Sequence, residues 1–123
     1  MNQLEFASMM RARTKAFAVE VVKFFTRLPK TDEARILGRQ LLRSGTSVAA
    51  NYRGVCRAKS NADFVSKMGT VVEEADETLL WLELLEEAGI CRSPTLQSLK
   101  AETDELVRIC ATFSSTAKRN GGR

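Results

Sequence analysis

The sequence predicts an all-α protein, an antiparallel up-down-up-down four-helix bundle. Three observations predict it. Apolar and small residues recur at alternating spacings of three and four along four separate stretches, which keeps one stripe on one helix face in each. Each stretch opens on a capping residue, and the first three close on a proline, a polar hinge or a glycine. The three connections are short, and short connections between amphipathic helices make antiparallel neighbours. The 123 residues suit a single domain, 1–123, with no internal repeat or low-complexity segment.

Helix one starts at Asn2, which caps the amide end while Glu5 reaches back in a capping box. Its stripe is Ala7, Met10, Thr14, Phe17, Val21, Phe24 and Leu28, widened by Phe25. Pro29 stops it near Leu28, because the residue before proline is pushed out of the α region. Thr31 or Asp32 caps helix two, which runs to about Ala58 with a seam of Leu37, Leu41, Ser44, Val48, Asn51 or Tyr52, and Val55. Midway the seam turns small. Gly45 inside a helix costs roughly 1 kcal/mol relative to alanine. Close approach of a neighbouring helix over Ser44, Gly45, Ser47, Ala49 and Ala50 would offset that cost; a break around Ser44-Gly45 is the alternative.

Ser60 and Asp63 open helix three with a second capping box, and its seam is Phe64, Met68, Val71, Ala75, Thr78, Leu82 and Leu85. Gly89 and Ile90 suit a Schellman stop. Ser93-Pro94 caps helix four, whose stripe is Leu96, Leu99, Thr103, Leu106, Ile109 or Cys110, and Phe113. It is expected to fray over 114–116 and to leave 118–123 as a disordered tail.

The absence of histidine excludes histidine-based acid–base catalysis, Ser-His and Cys-His nucleophiles and histidine-containing zinc sites. It also removes the Glu-x-x-His pairs of di-iron bundles, so an enzyme is not expected, nor any cofactor or metal. Three cysteines, Cys56, Cys91 and Cys110, read as thiols of a reducing compartment. With no secretory signal and no membrane-length apolar run, the expected location is the cytoplasm.

Charge is divided along the chain. Residues 1–59 hold 12 basic against 4 acidic residues, a balance of +8; residues 60–123 hold 7 against 11, a balance of −4. Arg35, Arg39 and Arg43 recur every fourth residue as one ridge, continued by Arg53, Arg57 and Lys59; helix one adds Arg11, Arg13, Lys15, Lys23 and Arg27. Such a face suits phosphates, with salt-dependent and sequence-tolerant affinity, or is simply a solvated helix surface paired with acids elsewhere. No aromatic residues interleave with these arginines, which argues against stacking of single strands. The acids Glu73, Glu74, Asp76, Glu77, Glu83, Glu86 and Glu87 suit pairing with the ridge, within one subunit or between two. Trp81, Leu84 and Ala88 form a second apolar strip off the main seam, read as either a broad core face or a subunit contact.

With these residues laid out, the chain resembles the bacterial four-helix-bundle proteins encoded in intervening sequences of large-subunit ribosomal RNA genes. That family is related to the accessory variability proteins of diversity-generating retroelements. The resemblance rests on Leu28-Pro29-Lys30, on Gln40-Leu41-Leu42-Arg43-Ser44-Gly45-Thr46-Ser47-Val48 and on Ala50-Asn51-Tyr52. Ala58, Ser60, Asp63-Phe64, Glu74-Ala75, Glu77 and Trp81-Leu82-Glu83-Leu84-Leu85 extend it, so that it covers roughly 13–90. Gly54 stands where similar sequences often carry glutamate, and Leu80 where they often carry an aromatic. The resemblance implies a homo-oligomeric ring, a pentamer. Through its retroelement relatives it implies basic surfaces that bind RNA or DNA and a nucleic-acid enzyme such as a reverse transcriptase. The resulting expectation is a non-enzymatic oligomer whose basic face is Arg35, Arg39, Arg43, Arg53 and Arg57. Its competitor is a purely structural or protein-interaction oligomer whose arginines are used in subunit contacts.

Overall fold

A computed structural model describes residues 1–121 as four helices in a bundle: α1 (Gln3–Thr26), α2 (Asp32–Val55), α3 (Asn61–Glu87) and α4 (Pro94–Gly121). Helices consecutive in the chain pack side by side, and α1 closes the bundle against α4 much more sparingly. The caps lie where the sequence puts them. Asn2 Oδ1 accepts from the Glu5 amide at 2.8 Å, Thr31 Oγ1 from Ala34 at 3.3 Å, Ser60 Oγ from Asp63 at 3.0 Å and Ser93 Oγ from Leu96 at 3.2 Å. Each satisfies an amide that the first helical turn would otherwise leave unpaired. Gly89 takes φ +74°, and the amides of Gly89 and Ile90 donate to the carbonyls of Glu86 and Leu85, both at 3.0 Å. That pair of bonds is the Schellman stop.

The core is a single cluster running the length of the bundle. From α1 and α3 it takes the expected stripe residues Met10, Thr14, Phe17, Val21, Phe24, Met68, Val71, Ala75, Thr78, Leu82 and Leu85. Helix α2 is continuous through Ser44-Gly45, and the small seam admits a close neighbour. A Cβ built on Gly45 would lie 2.9 Å from Val21 Cγ1; one on Gly38 would lie 2.8 Å from Leu28 Cδ1. Ser44 and Thr78, both fully buried, hold their hydroxyl oxygens 2.9 Å apart across the α2–α3 contact.

The structure corrects several boundaries and seam positions. Helices α1 and α2 end at Thr26 and Val55, short of Leu28 and Ala58; both finish in tightened turns, with Leu28 bonded to Phe25 and Ala58 to Val55. Tyr52, not Asn51, faces the core, and Asn51 Nδ2 donates to the Ser47 carbonyl of its own helix at 2.8 Å. In α4 the buried positions are Cys110 and Ser114 rather than Ile109 and Phe113. Helix α4 does not fray over 114–116 but continues to Gly121, with the Ala117 carbonyl accepting from Asn61 Nδ2 at 2.9 Å. Of the tail expected over 118–123, residues 118–121 continue this helix and 122–123 lie outside the described residues. No described helix is long and apolar enough to cross a membrane.

Candidate functional site

Helix α2 carries the arginine ridge on its outer face, but the ridge is not one surface. Arg35 turns back to Asp32 at 2.9 Å. Arg43 reaches across to α3, where it pairs with Glu77 and stands 3.8 Å from Glu74. Glu74 and Glu77 are three residues apart, so both project toward α2 from one face of α3. The acids and the ridge therefore meet within one subunit at Arg43. Arg39 lies between these pairs, exposed and without an acidic partner within 4 Å among the described residues.

The basic residues of α1 are divided as well. Arg13 makes a two-pronged bond to Glu102 on α4, Nε to Oε2 and Nη2 to Oε1, both at 2.8 Å, and reaches Glu105 at 3.1 Å. The carboxylates hold the guanidinium pKa above even its usual range. This clasp bridges the most sparsely packed edge of the bundle. Sequence reasoning placed Arg13 among the phosphate-binding candidates and had no signal for a partner 89 positions away.

Arg11 faces the other way. Val21 against Gly45 and Leu28 against Gly38 fix one antiparallel register for α1 and α2. The same register sets Arg11 opposite Val55, between Arg53 and Arg57. The three arginines, with Cys56, line a cleft of about 350 Å³. None has an acidic partner within 4 Å among the described residues. Of the five arginines proposed from sequence, the structure brings Arg53 and Arg57 together, adds Arg11 to them, and keeps Arg35, Arg39 and Arg43 apart on the other half of α2.

Aromatic residues gather at the same end of the bundle as these arginines. Cys56 also lines a second, mostly apolar cavity of about 470 Å³ at the same end of the bundle. Phe6 of α1, Tyr52 of α2, Phe64 of α3 and Phe113 of α4 all contribute to its wall. The Phe6 and Phe113 rings stack with centroids 4.3 Å apart. Tyr52 directly precedes Arg53 in the chain, and the meeting of four helix ends brings Phe6, Phe64 and Phe113 to it.

The apolar strip on α3 is only partly open. Trp81 is half-buried against the core, its indole nitrogen buried with no hydrogen-bond partner among the described residues. Leu84 is 38% exposed, Ala88 is exposed, and Leu80 is 45% exposed beside them. The α2–α3 register set by Arg43 and Glu77 carries Ile36, 61% exposed, toward Leu84. At the α3–α4 turn, Lys100 bonds Glu86 at 2.6 Å and holds that carboxyl below the usual range. The three cysteines differ: Cys56 is exposed, Cys91 half-buried, and Cys110 buried with its thiol pushed up to about 11 by burial.

Residues 8–112 match the model of the 23S rRNA-intervening sequence protein family. Among solved structures, the chain is similar to the crystal structure of a protein of unknown function from the S23 ribosomal protein family of Bacteroides thetaiotaomicron. The two share 29% identity and superpose with a TM-score of 0.81 over 89% of this chain and 97% of that one. No curated protein matches.

Proposed function

This chain belongs to the 23S rRNA-intervening sequence protein family, and from that premise we propose that it is a non-enzymatic, homo-oligomeric nucleic-acid-binding protein of the cytoplasm. Its phosphate-binding centre is the cleft of Arg11, Arg53 and Arg57. One observation supports this reading above the others: three arginines, from α1, the end of α2 and the turn after it, line one cleft without an acidic partner within 4 Å among the described residues, while Arg13, Arg35 and Arg43 are each paired. Like charges gathered without compensation repel one another, and a bound phosphate relieves that cost with charge-assisted, two-pronged bonds. The assembly contact is the strip of Leu80, Leu84, Ala88 and Ile36 beside Trp81, and the proposed ring is a pentamer, the state the family resemblance supports.

Binding of RNA and DNA oligonucleotides across a salt series tests this. Three phosphate contacts give log K against log[salt] a slope of about −2 for single strands and nearer −3 for duplexes. Reversing charge at Arg53 and Arg57 is expected to abolish binding and leave the helix content unchanged. Affinity that does not move between low and moderate salt would remove the proposal.

A second reading, a structural oligomer with no nucleic-acid role, draws on the exposed strip alone. Oligonucleotide binding separates the two, because both place the assembly contact on this strip. Loss of assembly from Leu84→Glu, with no oligonucleotide bound by the unaltered protein at low salt, favours the second reading. Binding abolished by Arg53 and Arg57 reversal in an intact oligomer favours the first.

A further inference from the structure

We propose that the apolar cavity beside the arginine cleft is a nucleotide pocket, which takes one unstacked base among Phe6, Tyr52, Phe64 and Phe113 while its phosphate sits on Arg11, Arg53 and Arg57. This rests on the nucleic-acid reading for its biological source, though not for its chemistry. Cys56 lines both cavities, so the aromatic and cationic sites adjoin. Ligand pockets run from roughly 300 to 1,000 Å³, and a cavity of about 470 Å³ is within that range.

The wall chemistry selects the occupant. Bases stack on aromatic rings whatever their identity, since each has a π face. Tyr52 supplies the one polar handle. The residue is 3% exposed, and its hydroxyl makes no hydrogen bond among the described residues. That oxygen is not fully buried. A phenol is protonated, and so a donor, at neutral pH. A base presents ring nitrogens and carbonyl oxygens that accept from such a donor. The arginines discriminate further. A single carboxylate, such as ends an acyl chain, offers two oxygens; a terminal phosphate offers three and two charges, a closer match to three forked donors.

Cys56 reports on occupancy. Alkylation by iodoacetamide is followed residue by residue, with half-buried Cys91 as the internal control. Adenosine 5′-monophosphate is expected to slow Cys56 alkylation severalfold and leave Cys91 unchanged. Inorganic phosphate at the same concentration is expected to protect far less, and decanoate not to protect. Tyr52→Phe, which removes one oxygen, should weaken protection by the mononucleotide severalfold. Ala7→Leu, which fills the cavity from α1, should abolish it while helix content and melting temperature stay close to the parent. Equal protection by phosphate and mononucleotide, protection by decanoate instead, or protection indifferent to Ala7→Leu would each overturn the pocket. A 5′-phosphorylated oligonucleotide identifies the source. If it binds with the expected salt slope while the mononucleotide never protects Cys56, the pocket fails and the nucleic-acid reading stands. If the mononucleotide protects and no oligonucleotide binds, the pocket stands as a site for free nucleotides and the nucleic-acid reading fails.

Discussion

Two interior helical glycines should respond to the same substitution with opposite sign. Alanine is favoured over glycine inside a helix by roughly 1 kcal/mol. At Gly69, in the middle of α3, a new Cβ meets nothing within 4 Å. Gly69→Ala should therefore stabilise the protein by most of that amount. At Gly45 the same atom would lie 2.9 and 3.0 Å from the two methyls of Val21 and 3.3 Å from its Cβ. Carbon atoms sit best about 3.5–4.0 Å apart. Rotating Val21 gives little relief, because both methyls and the branch carbon already crowd the site and a β-branched side chain in a helix has essentially one rotamer. Val21 is fully buried, so it has no solvent to move into. Overpacking of this kind costs about 1–3 kcal/mol, which outweighs the helical gain. Urea denaturation should place Gly45→Ala below the parent and Gly69→Ala above it, with about 1–3 kcal/mol between them. Val21→Ala supplies the control. It is destabilising by itself, but in its background Gly45→Ala should become less costly or stabilising, since both methyl contacts are gone and only the 3.3 Å contact with the Cβ remains. If Gly45→Ala stabilises the unaltered protein as much as Gly69→Ala does, the close approach of α1 and α2 is not what places a glycine there.

The remaining predictions concern the clasp and the tyrosine. A double-mutant cycle on Arg13→Ala and Glu102→Ala should return a coupling of about 1 kcal/mol, since the pair is well aligned but about a third exposed; zero coupling would mean that the α1–α4 edge does not depend on it. Tyr52 is the chain's single tyrosine, so ultraviolet absorbance titrates it alone. It should ionise near pH 12 in the folded protein rather than near 10. Because its folded pKa is raised, its contribution is complete below pH 10 and is lost as pH climbs to about 12, at most about 3 kcal/mol. A folded-state midpoint at 10 would contradict its burial.

How much could be read in advance follows from how local each feature is. The seams of α1 and α3 obey a strict three-four alternation, and their buried residues are the expected ones from Met10 to Phe24 and from Met68 to Leu85. In α2 and α4 the pattern leaves a choice near the C-terminal end, and the helix turns on by four residues, from Val48 to Tyr52 and from Leu106 through Cys110 to Ser114. Spacing alone could not select Tyr52 over Asn51, because that choice depends on the room left between four helix ends. The caps were legible because each is a bond between residues three apart. The charge partners were not. Arg43 with Glu77 and Arg13 with Glu102 join residues 34 and 89 positions apart, and only the helix registers bring them together.

Where the uncompensated charge lies follows from subtraction. The first half of the chain carries a balance of +8, and a charge ridge read from sequence treats its arginines as equivalent. They are not, because the acids of α3 and α4 reach only some of them. Glu74 and Glu77 take Arg43, while Glu102 and Glu105 take Arg13. Both neutralised sites lie along the sides of the bundle, where a neighbouring helix runs alongside the arginine's own. Arg53 and Arg57 stand where α2 ends, and the facing turn of α3 offers only Asp63, whose carboxylate accepts from the Lys59 amide and Lys67 Nζ and is held below the usual range by them. Arg11 belongs to the same end by the α1–α2 register. Three unpaired arginines thus meet at one end of the bundle, and that end also lacks the large side chain that would fill the space between Phe6, Phe64 and Phe113. A core that closes tightly in its middle but leaves a lined cavity beside three unpaired arginines has its charge and its empty volume in one place. Burying that volume without a ligand would have needed only a larger residue at Ala7.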